Sequence, residues 1–324
     1  MHYLIIVLIS LYVSYFMYSF VIPKLRKKKL GQNVRLDGPK SHYYKKGTPT
    51  LGGVVIILIS IFCLICLMIE YKKMIYFKNI IIILISTIGF GLIGFIDDYR
   101  NIKYQKNEGI KPLTKLIMQI VISLIISFLL LNSGFSSTIK IFNFELELGF
   151  LYPIWVILFM LSVTNAVNIT DGIDGLASGI VLIILMFLLA ITSLFGFIDL
   201  NFITVSFAVA LFGFMMFNLP PAKIFMGNTG SMAIGAIIGV IALMLKIEML
   251  LAIVCIFPII ETLSVIIQVL YFKITKGKRL FPMSPIHHSL EKWGLSEWMI
   301  DLLGWSITLI FSSVSFLIGV NYVF

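Results

Sequence analysis

Ten apolar runs, each about long enough to cross a lipid bilayer, constrain this chain more than anything else in it. They lie at about residues 2–23, 52–70, 78–96, 116–133, 151–169, 176–196, 200–217, 229–246, 249–272 and 299–322. A helix needs about 20 apolar residues to span the hydrocarbon core. Within that core each backbone polar group must be satisfied inside the segment, which favours helices. Over 324 residues the chain is 60% hydrophobic and 12% charged, with a mean hydropathy of +1.05. That composition excludes a soluble domain of this length. The reading is an all-α integral membrane protein with ten transmembrane helices, forming a single polytopic domain over 1–324. Cys63, Cys66 and Cys255 all lie inside apolar runs, so neither a disulfide framework nor a zinc site is expected. The first run has no basic segment before it and no small-residue cleavage site, and reads as a retained span.

Ten spans sort the connecting segments into two sets. Segments 24–51, 97–115, 170–175, 218–228 and 273–298 hold 20 of the 25 Lys and Arg. The other set, which includes both termini, holds Lys72, Lys73, Lys78, Lys140 and Lys246. The positive-inside rule then places the first set in the cytoplasm and both termini outside. The net charge of +10 is therefore a topology and anionic-lipid signal, and no nucleic-acid partner is expected. The longest outer segment contains I-K-I-F-N-F-E-L-E-L, whose alternation predicts a small outer β-hairpin near 138–148.

The unusual polar residues fall in the cytoplasmic set. Asp97 and Asp98 follow an apolar run directly and would sit at its C-terminal end, where the helix dipole is negative. Such a pair needs a metal ion or nearby Lys and Arg, unless it is merely a solvated end to the span. Asn165, Asn168, Asp171 and Asp174 recur every three residues up to Gly172 and Gly175. Amides there suit a nucleobase or sugar, and acids suit a metal or ribose; the alternative is a polar turn with helix caps. Lys45, Lys46, Thr48 and Thr50 precede Gly52 and Gly53, and Gly227 to Ser231 open another span. Both are helix N-termini of the kind that binds phosphate, or simply helix starts. His287 and His288 lie among basic residues and could bind phosphate or shuttle a proton. Glu261, Ser264 and Gln268 share a helix face, as a buried site or as interhelical glue. Acids, cations and amides meeting at a membrane face suit phosphoryl transfer from a nucleotide-linked donor to a lipid-borne acceptor. A transporter would place its charges near the midplane.

These stretches resemble the polyprenyl-phosphate N-acetylhexosamine-phosphate transferase superfamily, and within it the muramoyl branch. The matching pieces are G-Q-N-V-R-L-D-G-P-K-S-H with G-T-P-T-L-G-G, G-F-I-D-D-Y, N-A-V-N-I-T-D-G-I-D-G-L-A, F-M-G-N-T-G-S, and E-T-L-S-V-I-I-Q-V followed by S-P-I-H-H. The resemblance implies a multi-pass protein of the bacterial inner membrane, a homodimer and a cytoplasmic magnesium site. The substrates it implies are UDP-N-acetylmuramoyl-pentapeptide and undecaprenyl phosphate, with lipid I and UMP as products. It assigns Asp97 to deprotonation of the lipid phosphate, with Asp98 as its acidic neighbour, and His287 to the catalytic set. Lys45, Thr50, Asn165, Asn168, Asp171, Asp174, Lys115 and His288 would bind substrate, and Asp98 and Asn228 would face the metal. The chain departs from the pattern at Asn228, usually aspartate, at Asn101 and Leu113, usually basic, and at Ser289, usually histidine. An asparagine keeps one oxygen and loses the charge, so weaker metal binding is expected. Such departures also admit another UDP-N-acetylhexosamine donor, or a paralogue that binds without turnover.

Overall fold

In the computed structural model the described residues are 2–28, 31, 45, 47–71, 77–104, 109–141 and 144–322. The first-loop stretch 32–44, with Lys29 and Lys46, lies outside them. In chain order the helices are α1 (His2–Lys27), α2 (Gly52–Glu70), α3 (Phe77–Tyr104), α4 (Pro112–Asn132), α5 (Tyr152–Thr170), α6 (Leu176–Leu194), α7 (Ile198–Asn218), α8 (Gly227–Leu245), α9 (Glu248–Val254), α10 (Ile256–Ile274), α11 (Ile286–Lys292) and α12 (Glu297–Tyr322). All but the short α9 and α11 are long and apolar enough to cross a membrane. Between α4 and α5, β1 (Thr138–Ile141) and β2 (Phe144–Glu147) pair antiparallel, with Thr138 opposite Glu147 and Ile141 opposite Phe144.

The axis of the bundle is α8. From Thr229 to Leu245 every residue is buried. Its sequence explains why: Gly230, Ala233, Gly235, Ala236, Gly239 and Ala242 let neighbours approach closely, which is how helices associate in lipid. It packs on α2, α3 and α5. A Cβ on Gly53 would collide with the Gly230 backbone, and a Cβ on Gly94 with the Asn228 carbonyl. The second contact sets the height of α3 against α8, and so the position of Asp97 and Asp98.

The outer helices have the opposite pattern. On α10 the buried residues are Phe257, Pro258, Glu261, Ser264 and Gln268, while Ile260, Leu263, Ile267 and Leu270 are exposed. A helix with its polar stripe inward and its apolar face outward is solvated by lipid.

Two elements differ from expectation. The helix carrying Asp97 and Asp98 continues to Tyr104, so the acids lie inside α3 and not at its end. The run at 249–272 breaks at Cys255 into α9 and α10. Pro258 has no N–H to give the Val254 carbonyl, which ends the first helix there.

Candidate active site

The site is built at the N-terminal end of α8. Asp98 reaches across from α3 and accepts hydrogen bonds from the backbone N–H groups of Asn228 (3.0 Å) and Thr229 (2.9 Å) and from the Thr229 hydroxyl (2.7 Å). A buried carboxylate there satisfies orphan N–H groups and meets the positive end of the helix dipole. This explains how α3 runs on past two acids: their charge is absorbed by another helix. It also corrects two expectations. The first N–H groups of α8 are bonded to a protein carboxylate instead of waiting for a phosphate. Those of α2 at Gly52 and Gly53 bond the carbonyls of Phe225 and Met226.

Asp97 is equally committed. Its Oδ1 accepts from the Ile110 N–H (2.6 Å), and its Oδ2 from the Asn228 amide nitrogen (2.7 Å). The Asn228 amide oxygen in turn accepts from Asn168 Nδ2 (2.6 Å), which also donates to the Ser231 hydroxyl. Asn165 exchanges two 3.3 Å hydrogen bonds with Gln119 of α4. Asn165, Asn168 and Asp171 are all half-buried at the end of α5. Burial pushes the Asp171 carboxyl up to about 7, and the Asp98 and Asp174 carboxylates add to the shift. Thr50 is buried beside Gly227. Lys115 is half-buried in the first turn of α4.

On one flank, Lys45 bonds Asp174 (2.7 Å) and Glu297 (2.5 Å). Burial acts against its ammonium, but the two carboxylates outweigh that and hold its pKa above the ordinary lysine value. Asp174 also accepts from the Ala222 N–H (2.8 Å), so it ties the α5–α6 and α7–α8 connections together.

On the other flank, His287 is fully buried, and its Nδ1 lies 3.0 Å from Glu261 Oε2 on α10. Its Nε2 abuts Gly172, where a Cβ would collide with it. His287 thus bridges two elements. It couples α10 to the turn carrying Asp171, and it does not face open space as a proton shuttle would. His288 bonds Glu291 (2.8 Å) and sets its ring edge-on to His287. Ser289, at a histidine position of the resembled pattern, is buried and takes the Met283 N–H at 3.1 Å. Gln268 accepts from the N–H groups of Leu280 and Phe281, which holds the segment after α10 in place. Asn101 has a buried amide oxygen without a partner among the described residues, and Leu113 is 68% exposed.

Sequence reasoning missed Gln119 and Glu297. Gln119, Ser123 and Ser127 form a polar stripe at four-residue spacing on α4, a signal that was present. Glu297 had none, because its partner Lys45 is far away in the chain.

A magnesium ion takes about six oxygens in a strict octahedron. Among the described residues no three His, Cys, Asp or Glu side chains are grouped to hold a metal. Every oxygen of Asp97 and Asp98 already accepts a protein hydrogen bond, and Asn228 turns its N–H toward Asp97. In this arrangement the residues do not form a magnesium site.

The family model described as glycosyl transferase family 4 matches residues 80–246, which include Asp97, Asp98, the α5 amides and Asn228. The chain belongs to that family. It is 43% identical to the phospho-N-acetylmuramoyl-pentapeptide-transferase of Shouchella clausii over 319 residues, covering 98% of this chain and 97% of that protein. The proteins of the same name from Bacillus licheniformis (40% over 316 residues, 97% of each chain) and Staphylococcus aureus (39% over 319 residues, 97% of this chain and 98% of that one) are also similar to it. These similarities extend beyond the family model to cover Lys45 and the Glu261–His287 pair.

Proposed function

We propose that this chain transfers phospho-N-acetylmuramoyl-pentapeptide from UDP to undecaprenyl phosphate, giving lipid I and UMP. The observation that carries the reading is convergence. Elements far apart in sequence bring Asp97, Asp98, Asn165, Asn168, Asp171, Asp174, Lys45 and Thr50 to one end of α8, at the end richest in lysine and arginine. The full-length similarity to enzymes of that name supports the same reaction.

In the proposed chemistry an oxygen of the lipid phosphate attacks the sugar-bearing phosphorus. The bond from that phosphorus to the UMP oxygen breaks, and UMP leaves with the electron pair. Asp97 takes the proton from the lipid phosphate. Asn165 and Asp171 hold the uridine side, and Lys115 offsets the diphosphate charge. Lys45 and Asp174 fix the wall of the site, and the Glu261–His287 pair fixes the turn below it. The proposal places the site in the cytoplasm of a bacterial cell, at the inner membrane, with both termini outside; the charge asymmetry of the loops supports that orientation. Pairing of two copies as a homodimer belongs to the same proposal.

The test combines purified protein, undecaprenyl phosphate, magnesium and UDP-N-acetylmuramoyl-pentapeptide. Release of UMP together with lipid I is the expected result. Release only with another UDP-N-acetylhexosamine would assign a different donor. Saturable donor binding without UMP would make the chain a binding protein, a reading favoured by the Asn228 amide. An Asp97→Asn protein working at full rate would overturn the site assignment.

A further inference from the structure

We infer that the Asn228 side chain does the structural work of a cation, so that this site assembles without metal. The hydrogen bonds run in one direction, from Asn168 Nδ2 to Asn228 Oδ1 and from Asn228 Nδ2 to Asp97 Oδ2. An ionised carboxylate only accepts, so Asp97 fixes that direction. The reverse orientation of Asn228 would set oxygen against oxygen at Asp97 and nitrogen against nitrogen at Asn168. Asn228 also gives its backbone N–H to Asp98 at 3.0 Å. One residue therefore gives both buried acids a donor, and with Ile110 and Thr229 it engages all four of their oxygens. An aspartate at 228 would keep the backbone N–H for Asp98 but would have no side-chain N–H to offer Asp97. It would add a third carboxylate beside Asp97 and Asp98, whose repulsion a cation or an added proton would have to offset.

Thermal unfolding of the purified protein in detergent, without donor or acceptor, tests this apart from the transferase reading. The wild-type melting temperature is expected to be the same within error in EDTA and in millimolar magnesium. Asn228→Asp is expected to melt about 5 °C lower in EDTA, with magnesium restoring most of the loss. Because that variant could fail to fold, the exchanged pair Asp97→Asn with Asn228→Asp is the second arm. It keeps the charge count and restores an amide-to-carboxylate bond, so its melting is expected to be insensitive to EDTA. Manganese titrated into each protein gives an independent readout: saturable binding at least 10-fold tighter in Asn228→Asp than in wild type is expected. Wild type that gains as much from magnesium as Asn228→Asp, equal manganese affinity in the two, or an exchanged pair as EDTA-sensitive as the single variant would overturn the inference.

Discussion

The two ends of α8 meet the same physical problem with opposite charges. At the N-terminal end Asp98 of α3 accepts the free N–H groups, and Asp97 is held by Ile110 and Asn228. At the C-terminal end Lys246 takes a left-handed backbone (φ 57°) and turns its ammonium to the Ser136 carbonyl (2.6 Å) and the Tyr152 hydroxyl (3.0 Å). Its ammonium also lies 4.4 Å from the centre of the Tyr152 ring. An anion at the start of a helix and a cation at its end both favour the dipole. Only the first end becomes a candidate site. The difference lies in the surroundings. The acids are met by the half-buried Asn228 amide, by Thr229 and by backbone N–H groups, and through Asn228 they join the Asn168 amide of α5. The lysine is met by one carbonyl and an aromatic ring, which anchor the chain before the hairpin.

Substitutions can break or sharpen this contrast. Asp98→Ala should have the largest effect, because it leaves two backbone N–H groups and a hydroxyl without an acceptor. A loss of about 3 kcal/mol or more is expected in denaturation, with UMP release abolished. Gly94→Ala comes next. Its Cβ would push α3 away from Asn228, lowering UMP release by about 100-fold while costing about 1–3 kcal/mol. A variant as active as wild type would show that this close approach does not set the site. Lys246→Met tests the opposite end. It should cost about 1 kcal/mol and leave the turnover of the remaining folded protein unchanged. A turnover loss beyond the loss of folded protein would end the contrast between a structural end and a chemical one.

The smallest effect concerns Glu248, fully buried just past Lys246. Burial pushes its pKa from 4.5 up to about 7. The folded carboxyl then keeps a proton that the unfolded chain has released. This group's contribution to stability therefore falls as pH rises from about 4.5 to about 7, and is level above that. Glu248→Gln removes the penalty. Its melting temperature should match wild type near pH 4.5 and exceed it by a few degrees at pH 8.

Much of this was legible in the chain. Runs of about 20 apolar residues fix ten helices, because lipid tolerates little else. The spacing of Glu261, Ser264 and Gln268 fixed an inward polar face on α10, and all three are buried. The spacing from Asn165 to Asp174 singled out a polar cluster, and in the structure Asn168 bonds Asn228 at the start of α8 while Asp174 bonds the segment before it. The partners were not legible. Asp98 reads as a residue in need of a cation until Thr229 arrives from far along the chain. Lys45 reads as a phosphate ligand until Asp174 and Glu297 claim it. His287 reads as an exposed base until Glu261 and Gly172 enclose it. Hydropathy and periodicity are local properties of sequence, so the sequence by itself determined which segments are helices, which faces are apolar and where charge collects. The direction of a hydrogen bond between residues more than a hundred positions apart depends on how close two helices come. That is set by Gly94 of α3 meeting the Asn228 backbone of α8, and only the tertiary structure decided that Asn228 would donate its hydrogen bond to Asp97.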